Sequence, residues 1–185
     1  KVASSGASIA LTTTQLADLP GDIYDLSSTE LAKRDLALMA SMGVSEKVAQ
    51  AVIDNTAISV SVRHGMITGL NLLKGPGRES IVELISTTQR AGQALYLHDV
   101  INLMVHRNQT QPYAGFGTFG NLPAAITPDN LMEVCAPIDY VSWTDRVSQF
   151  ATRPGWKGAG KRLVYDGTLS PMAAERFRNA GWETT

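Results

Sequence analysis

Three features of the sequence predict an α+β (or α/β) fold: capped helical segments in the N-terminal half, one cleanly alternating apolar run, and a strand-helix-strand unit at the C-terminus. In that last unit, Leu163, Val164 and Tyr165 form a short apolar run that stops at Asp166 and Gly167, the pattern of a strand meeting a tight turn. Ser170 suits the cap of a following helix and Pro171 its first position. Met172, Ala173, Arg176 and Phe177 then recur at helical spacing, and Gly181 closes the helix. The expected architecture is an N-terminal helical pair, a β-hairpin, central helices and a C-terminal β-α-β unit on a mixed sheet. Such units serve many unrelated folds, so they specify architecture and leave the chemistry open.

In chain order, residues 1–14 are rich in Ser, Ala and Thr and read as a flexible tail or linker, with Ile9 to Leu11 its one candidate strand. Residues 15–185 are expected to form a single globular α+β domain, as a processed mature protein or as a fragment of a larger protein. Ser27 and Glu30 stand at the capping-box spacing, and Leu31, Leu36, Leu38 and Met39 supply an apolar face behind them. Gly43 ends that helix and Ser45 starts the next, giving a helical pair from about Ser28 to Asn55. From Ala57 to Arg63 the residues alternate, with Ile58, Val60 and Val62 against Ser59 and Ser61, which predicts a strand. A turn at His64 and Gly65 would pair it with Met66 to Leu72 as a hairpin. Ile81, Leu84, Ile85 and Thr88 mark one central helix, and Leu97, Val100, Ile101 and Met104 a second, with Gly92 between. No period survives from Asn108 to Asn130, so a long loop is expected there. Thr127, Pro128 and Asp129 look like a helix start, and Asp139 to Phe150 like another helix.

Composition narrows the function classes. The chain of 185 residues is 44% hydrophobic, enough for a packed core, and 18% charged, below the roughly 25% of an average soluble domain. A net charge of −1 supplies no field to gather nucleic acid, which is therefore not an expected partner. Charge is uneven, however. Arg153 to Arg178 holds six basic residues against two acidic ones, whereas the first sixty residues hold four against seven. Cys135, the single cysteine, has no partner for an internal disulfide and sits among apolar neighbours. No apolar run reaches the ~18 residues of a membrane span, and no signal-peptide core is present, so membrane insertion is not expected and no compartment is specified.

Few motifs carry chemistry. Gly155 to Lys161 has the glycine and lysine spacing of a phosphate loop, but Arg162 stands where a magnesium-binding hydroxyl is needed, and the segment precedes a strand. Gly115 to Gly120 fits a dinucleotide pattern, yet Pro112 and Pro123 deny it the flanking strand and helix. No cofactor is expected from either. His98, Asn102 and His106 share one face of the second central helix, with Asp99 beside them; the two histidines lie about 12 Å apart along the axis, too far to share a metal ion. His98, Asp99, His106 and His64 are the candidate catalytic residues, on the ground that imidazole titrates near neutrality and a carboxylate orients it. Tyr113, Phe116 and Phe119 are expected to pack down as anchors of their loop or, if exposed, to form a partner or ligand surface. Arg153, Lys157, Lys161 and Arg162 are candidates for an anion site. Asn108 to Thr110 matches a glycosylation sequon, relevant only to a secreted eukaryotic chain.

With no catalytic constellation assembled in sequence, the leading expectation is a non-enzymatic binding or assembly module that contacts a protein partner or a larger parent chain. The alternative is an enzyme acting on an anionic small molecule, with a histidine acid/base and the basic C-terminal segment as its anion site. The two differ in whether His64, His98 or His106 converges with Arg153, Lys161 or Arg162 on one concave pocket.

Overall fold

The computed structural model describes residues 26–185; the expected tail at residues 1–14 and its candidate strand lie outside them. The fold is α+β, with helices N-terminal and strands C-terminal. Helix α1 (Ser28–Ser41) begins at the expected capping box: the Glu30 backbone N–H donates to Ser27 Oγ at 3.2 Å, and the Ser27 backbone N–H donates to Glu30 Oε2 at 2.9 Å. The bonds from Ser27 hold the Glu30 carboxyl below its usual range. Helix α2 (Glu46–Ile53) is capped by Ser45. Asn55 then turns inward, its amide donating to Thr88 O at 2.9 Å and so fastening the helical pair to the end of helix α4 (Arg78–Ser86).

The expected hairpin over 57–72 is instead helix α3 (Val60–Leu72). Ser59 caps it, accepting from the Val62 N–H at 3.4 Å. The alternation that predicted a strand spans only this cap and the first turn. From Arg63 to Leu70 nearly every side chain is buried, because α1 packs on one flank of α3 and helix α5 (Ala91–Thr110) on another. A helix enclosed on several sides carries no clean amphipathic period, so local spacing misleads. Gly92 lies within the first turn of α5 rather than between helices.

The expected long loop is largely a hairpin. Strands β1 (Gly115–Phe119) and β2 (Leu122–Ile126) pair antiparallel across a turn at Gly120, whose φ of 63° suits glycine. Pro123 is tolerated because β3 (Leu131–Ala136) joins β2 only at Ala125 and Ile126, so a lost N–H there breaks no second ladder. Thr127 to Asn130 is likewise no helix start. Asn130 adopts φ 62°, Thr127 bonds the backbone of Leu131 in both directions, and the chain reverses into β3. The expected helix over 139–150 begins later, as α6 (Asp145–Ala151) capped by Thr144, with the short strand β4 (Tyr140–Val141) before it.

The C-terminal unit forms as expected: β5 (Gly160–Tyr165), the two-residue strand β6 (Thr168–Leu169), α7 (Pro171–Asn179) capped by Ser170, and β7 (Trp182–Thr184). The main sheet runs β1-β2-β3-β5-β7, antiparallel through β3 and parallel from β3 to β7, while β4 and β6 make a separate parallel pair. Alternation along the strands sorts two cores. Ala125, Cys135 and Val164 face the helical layer with Met66, Ile67, Leu97 and Ile101, and Met132, Val134 and Leu163 face Phe177 and Trp182. Between the layers, the Phe116 N–H donates to Pro76 O at 2.9 Å, and the next residue, Gly77, holds φ 92° with no room for a side chain against the Phe116 carbonyl. Among the described residues no helix is long and apolar enough to cross a membrane.

Candidate functional site

Helices α3 and α5 approach closely because Gly65 and Gly69, one turn apart on α3, present no side chain to α5. A Cβ at Gly65 would lie 2.7 Å from His98 Nε2, and one at Gly69 would lie 2.8 Å from Ile101 Cγ2. Beside this contact opens a groove of about 450 Å³. Thr68 lines it from α3, and His98, Asp99, Asn102 and His106 line it from α5. Pro137 and Asp166, which follow the carboxyl ends of the parallel strands β3 and β5, close its far side. Crevices at such strand ends are where sheets with parallel strands bind ligands.

Two of the expected catalytic candidates meet directly here: His98 Nδ1 stands 3.2 Å from Asp99 Oδ1. The Asn102 amide lies 3.3 Å from the same ring nitrogen. His106 shares the groove two turns further on, and its spacing from His98 is the one that the helical period demands.

His64 occupies a helix, not a hairpin turn, and is buried. Its Nδ1 lies 2.6 Å from Asp35 Oδ1, and Arg63 Nε donates to Asp35 Oδ2 at 2.8 Å. Asp35 is fully enclosed, so both of its oxygens are satisfied by α3. The other imidazole nitrogen, Nε2, lies 3.4 Å from Thr68 Oγ1, one turn along the helix at the groove wall. Asp35, Arg63 and Thr68 escaped the sequence reading, although Asp35 had a signal. It sits between Leu31 and Met39 on the buried stripe of α1, and an acid at a core position needs a partner.

A second buried carboxylate, Glu133 in β3, lies under the C-terminal end of α5. The Tyr113 hydroxyl donates to its Oε1 and Arg107 Nη2 to its Oε2 at 3.1 Å, with Arg162 Nη1 at 3.4 Å. Arg162 also bonds Glu183 at 2.8 Å. Burial, reinforced by Cys135 and Glu133, pushes the Tyr113 hydroxyl well above its usual range. Burial also pushes the Cys135 thiol up to about 12.

The remaining candidates fall apart spatially. Tyr113, Phe116 and Phe119 are all buried: Tyr113 stacks edge to face with Phe116, and Phe119 with Trp182. They are core anchors and form no exposed aromatic surface. Arg153 and Lys157 are exposed, and Arg162 is committed to its carboxylates. Lys161 donates to Ala151 O at 3.3 Å, lies over the Trp182 ring, and has its ammonium pKa lowered by burial. None of these four cations lines the groove. The glycine-rich segment before Lys161 leads into β5, so no helix N-terminus faces it. Among the described residues no group of three or more His, Cys, Asp or Glu side chains is placed to hold a metal ion. Comparison of the chain with protein-family models, with curated proteins and with solved structures finds no match.

Proposed function

We propose that the protein is an enzyme acting on a small polar molecule held in the α3/α5 groove, with His98 as its proton-transfer group. The observation that carries this reading is convergence. Helix α5 presents a histidine, a carboxylate paired to it and an amide, and Thr68 of α3 with Asp166 after β5, both distant in sequence, complete one concave site beside the ends of parallel strands. The alternative weighed from sequence placed an anion site in the basic C-terminal segment. Among the described residues the lining holds Asp99 and Asp166 and no lysine or arginine, so the substrate class shifts to neutral or cationic. Proton transfer by a positioned imidazole contributes about 100-fold or more to a rate.

The test is an NMR titration with a panel of sugars, nucleosides, amines and amino acids. Ligands of this class should shift the ring resonances of His98 and His106 together with the Thr68 methyl. His98→Gln should retain binding and lose turnover. Shifts confined to residues outside the groove overturn the reading.

A second reading, the non-enzymatic module contacting a protein partner, is favoured by one observation: Leu72, Ile138, Tyr140 and Met172 are large apolar side chains left exposed. Leu72 lines the groove and Ile138 follows Pro137, so part of this apolar surface borders the same site. Under that reading Leu72→Glu abolishes complex formation while His98→Gln leaves it intact.

A further inference from the structure

We infer that Asp35, His64 and Thr68 form a hydroxyl-activating relay that opens into the groove, with Thr68 Oγ1 as an acyl acceptor. The inference rests on the groove being a small-molecule site and names the class of substrate it takes: an activated acyl ester.

The three side chains stand in the order that nucleophilic catalysis requires, carboxylate to imidazole to hydroxyl. Asp35 is wholly enclosed and is charge-compensated by Arg63, so it accepts from His64 Nδ1 without needing a proton of its own. That bond assigns the imidazole proton to Nδ1 and leaves the Nε2 lone pair directed at Thr68, 3.4 Å away. The bond is long, and catalytic hydrogen bonds of this kind tighten when substrate binds. Three more observations fit. Thr68 is the member of the relay that lines the groove, whereas His64 and Asp35 lie behind it. Gly65 and Gly69, on the same helix, also line the groove and let α5 pack close to this stretch of α3, which brings the His98 ring into the same groove as Thr68. Arg63 fastens the arrangement to the end of α2 through Ile53 O at 3.5 Å, so α1, α2 and α3 hold the relay together.

In the step itself, Thr68 Oγ1 attacks the ester carbonyl carbon as its proton passes to His64 Nε2. A Thr68–acyl bond forms, the bond from carbonyl carbon to leaving oxygen breaks, and the leaving group departs with that electron pair. His64 then returns its proton to the leaving group or to water, and water hydrolyses the acyl-threonine by the reverse sequence.

The probe is p-nitrophenyl acetate with the full chain. Release of p-nitrophenolate should show an initial burst, and peptide mapping should find one acetyl group on Thr68. Thr68→Val, which keeps the shape and removes the hydroxyl, should lose both the burst and the label. Thr68→Ser should retain them within about tenfold, and His64→Gln should lower the burst rate by about 100-fold or more. Acetylation confined to lysines, or a burst unchanged in Thr68→Val, overturns the inference. Because His64→Gln also disturbs a buried network, the Val and Ser pair decides the matter if that variant does not fold. Panel ligands that shift His98 in a protein never acetylated at Thr68 would sink the relay and leave the groove reading standing. Acetylation of Thr68 without any panel ligand binding would do the reverse.

Discussion

The helical layer and the sheet each bury one carboxylate, and they compensate it differently. Asp35 is sealed between α1 and α3, with Arg63 and His64 nearly as enclosed as itself. Glu133 is equally buried, but its arginine partners come from the edge: the side chains of Arg107 and Arg162 keep 22% and 25% of their surface exposed. The difference lies in what remains when the acid is lost. Arg107 and Arg162 have water within reach, and Arg162 keeps Glu183, whereas Arg63 has nowhere to take its charge. A buried acid with buried partners therefore locks its surroundings, while one with rim partners leaves them room to adjust.

That contrast orders the expected effects. Asp35→Asn should lower stability by about 3–5 kcal/mol, because it strands an enclosed guanidinium; urea denaturation measures it. Glu133→Gln should cost less, about 1–3 kcal/mol, since its arginines can swing to solvent. Equal losses from the two substitutions would erase the distinction.

High pH tests the seam between the two layers, where Cys135 of β3 and Tyr96 of α5 share one core. Burial raises the Cys135 thiol to about 12 and the Tyr96 hydroxyl to about 12, so the folded chain keeps protons that the unfolded chain releases. The unfolded state binds fewer protons, and stability therefore falls as pH rises above the ordinary thiol value near 9. The thiol alone should cost about 1.4 kcal/mol by pH 10, where the tyrosines only begin to contribute. Melts between pH 8 and 11 should show this slope reduced in Cys135→Ala; an unchanged slope would assign the loss elsewhere. The smallest effect belongs to Gly65→Ala. The added methyl meets only the edge of the His98 ring, which can tilt, so about 1 kcal/mol is lost while His98 moves in the groove. His98 ring shifts in NMR spectra of that variant report the movement.

What the sequence made legible follows the range of the interactions involved. Ser27 with Glu30, Ser45, and Ser170 with Pro171 are caps settled within a few residues, and all three helices begin where those signals stand. The strand expected at 57–63 failed because enclosure by α1 and α5 decides α3, and Asp35 stands 28 positions from Arg63. The β1–β2 hairpin was hidden for a related reason: its glycines and proline have poor strand propensity, and the pairing with β3 and the docking onto α4 hold it in place. In the site, His98 and Asp99 were readable as neighbours on one helix. Thr68, Pro137 and Asp166 join them only once α3 and the ends of β3 and β5 are in position.

The contact of Pro76 and Gly77 with Phe116 joins the helical half of the chain to its sheet at the point where the chain enters α4. A left-handed backbone pressed against a carbonyl acts as a keystone: Gly77 cannot shift without displacing Phe116, and the core shared by helices and sheet closes around it. The helices and the sheet should therefore melt as one cooperative unit, so amide exchange in α4 and in β1 should report the same opening free energy. In molecules whose layers touch only through side chains, the weaker layer peels away first. Here neither layer should open alone, so the groove between α3 and α5 should keep its shape until both are lost.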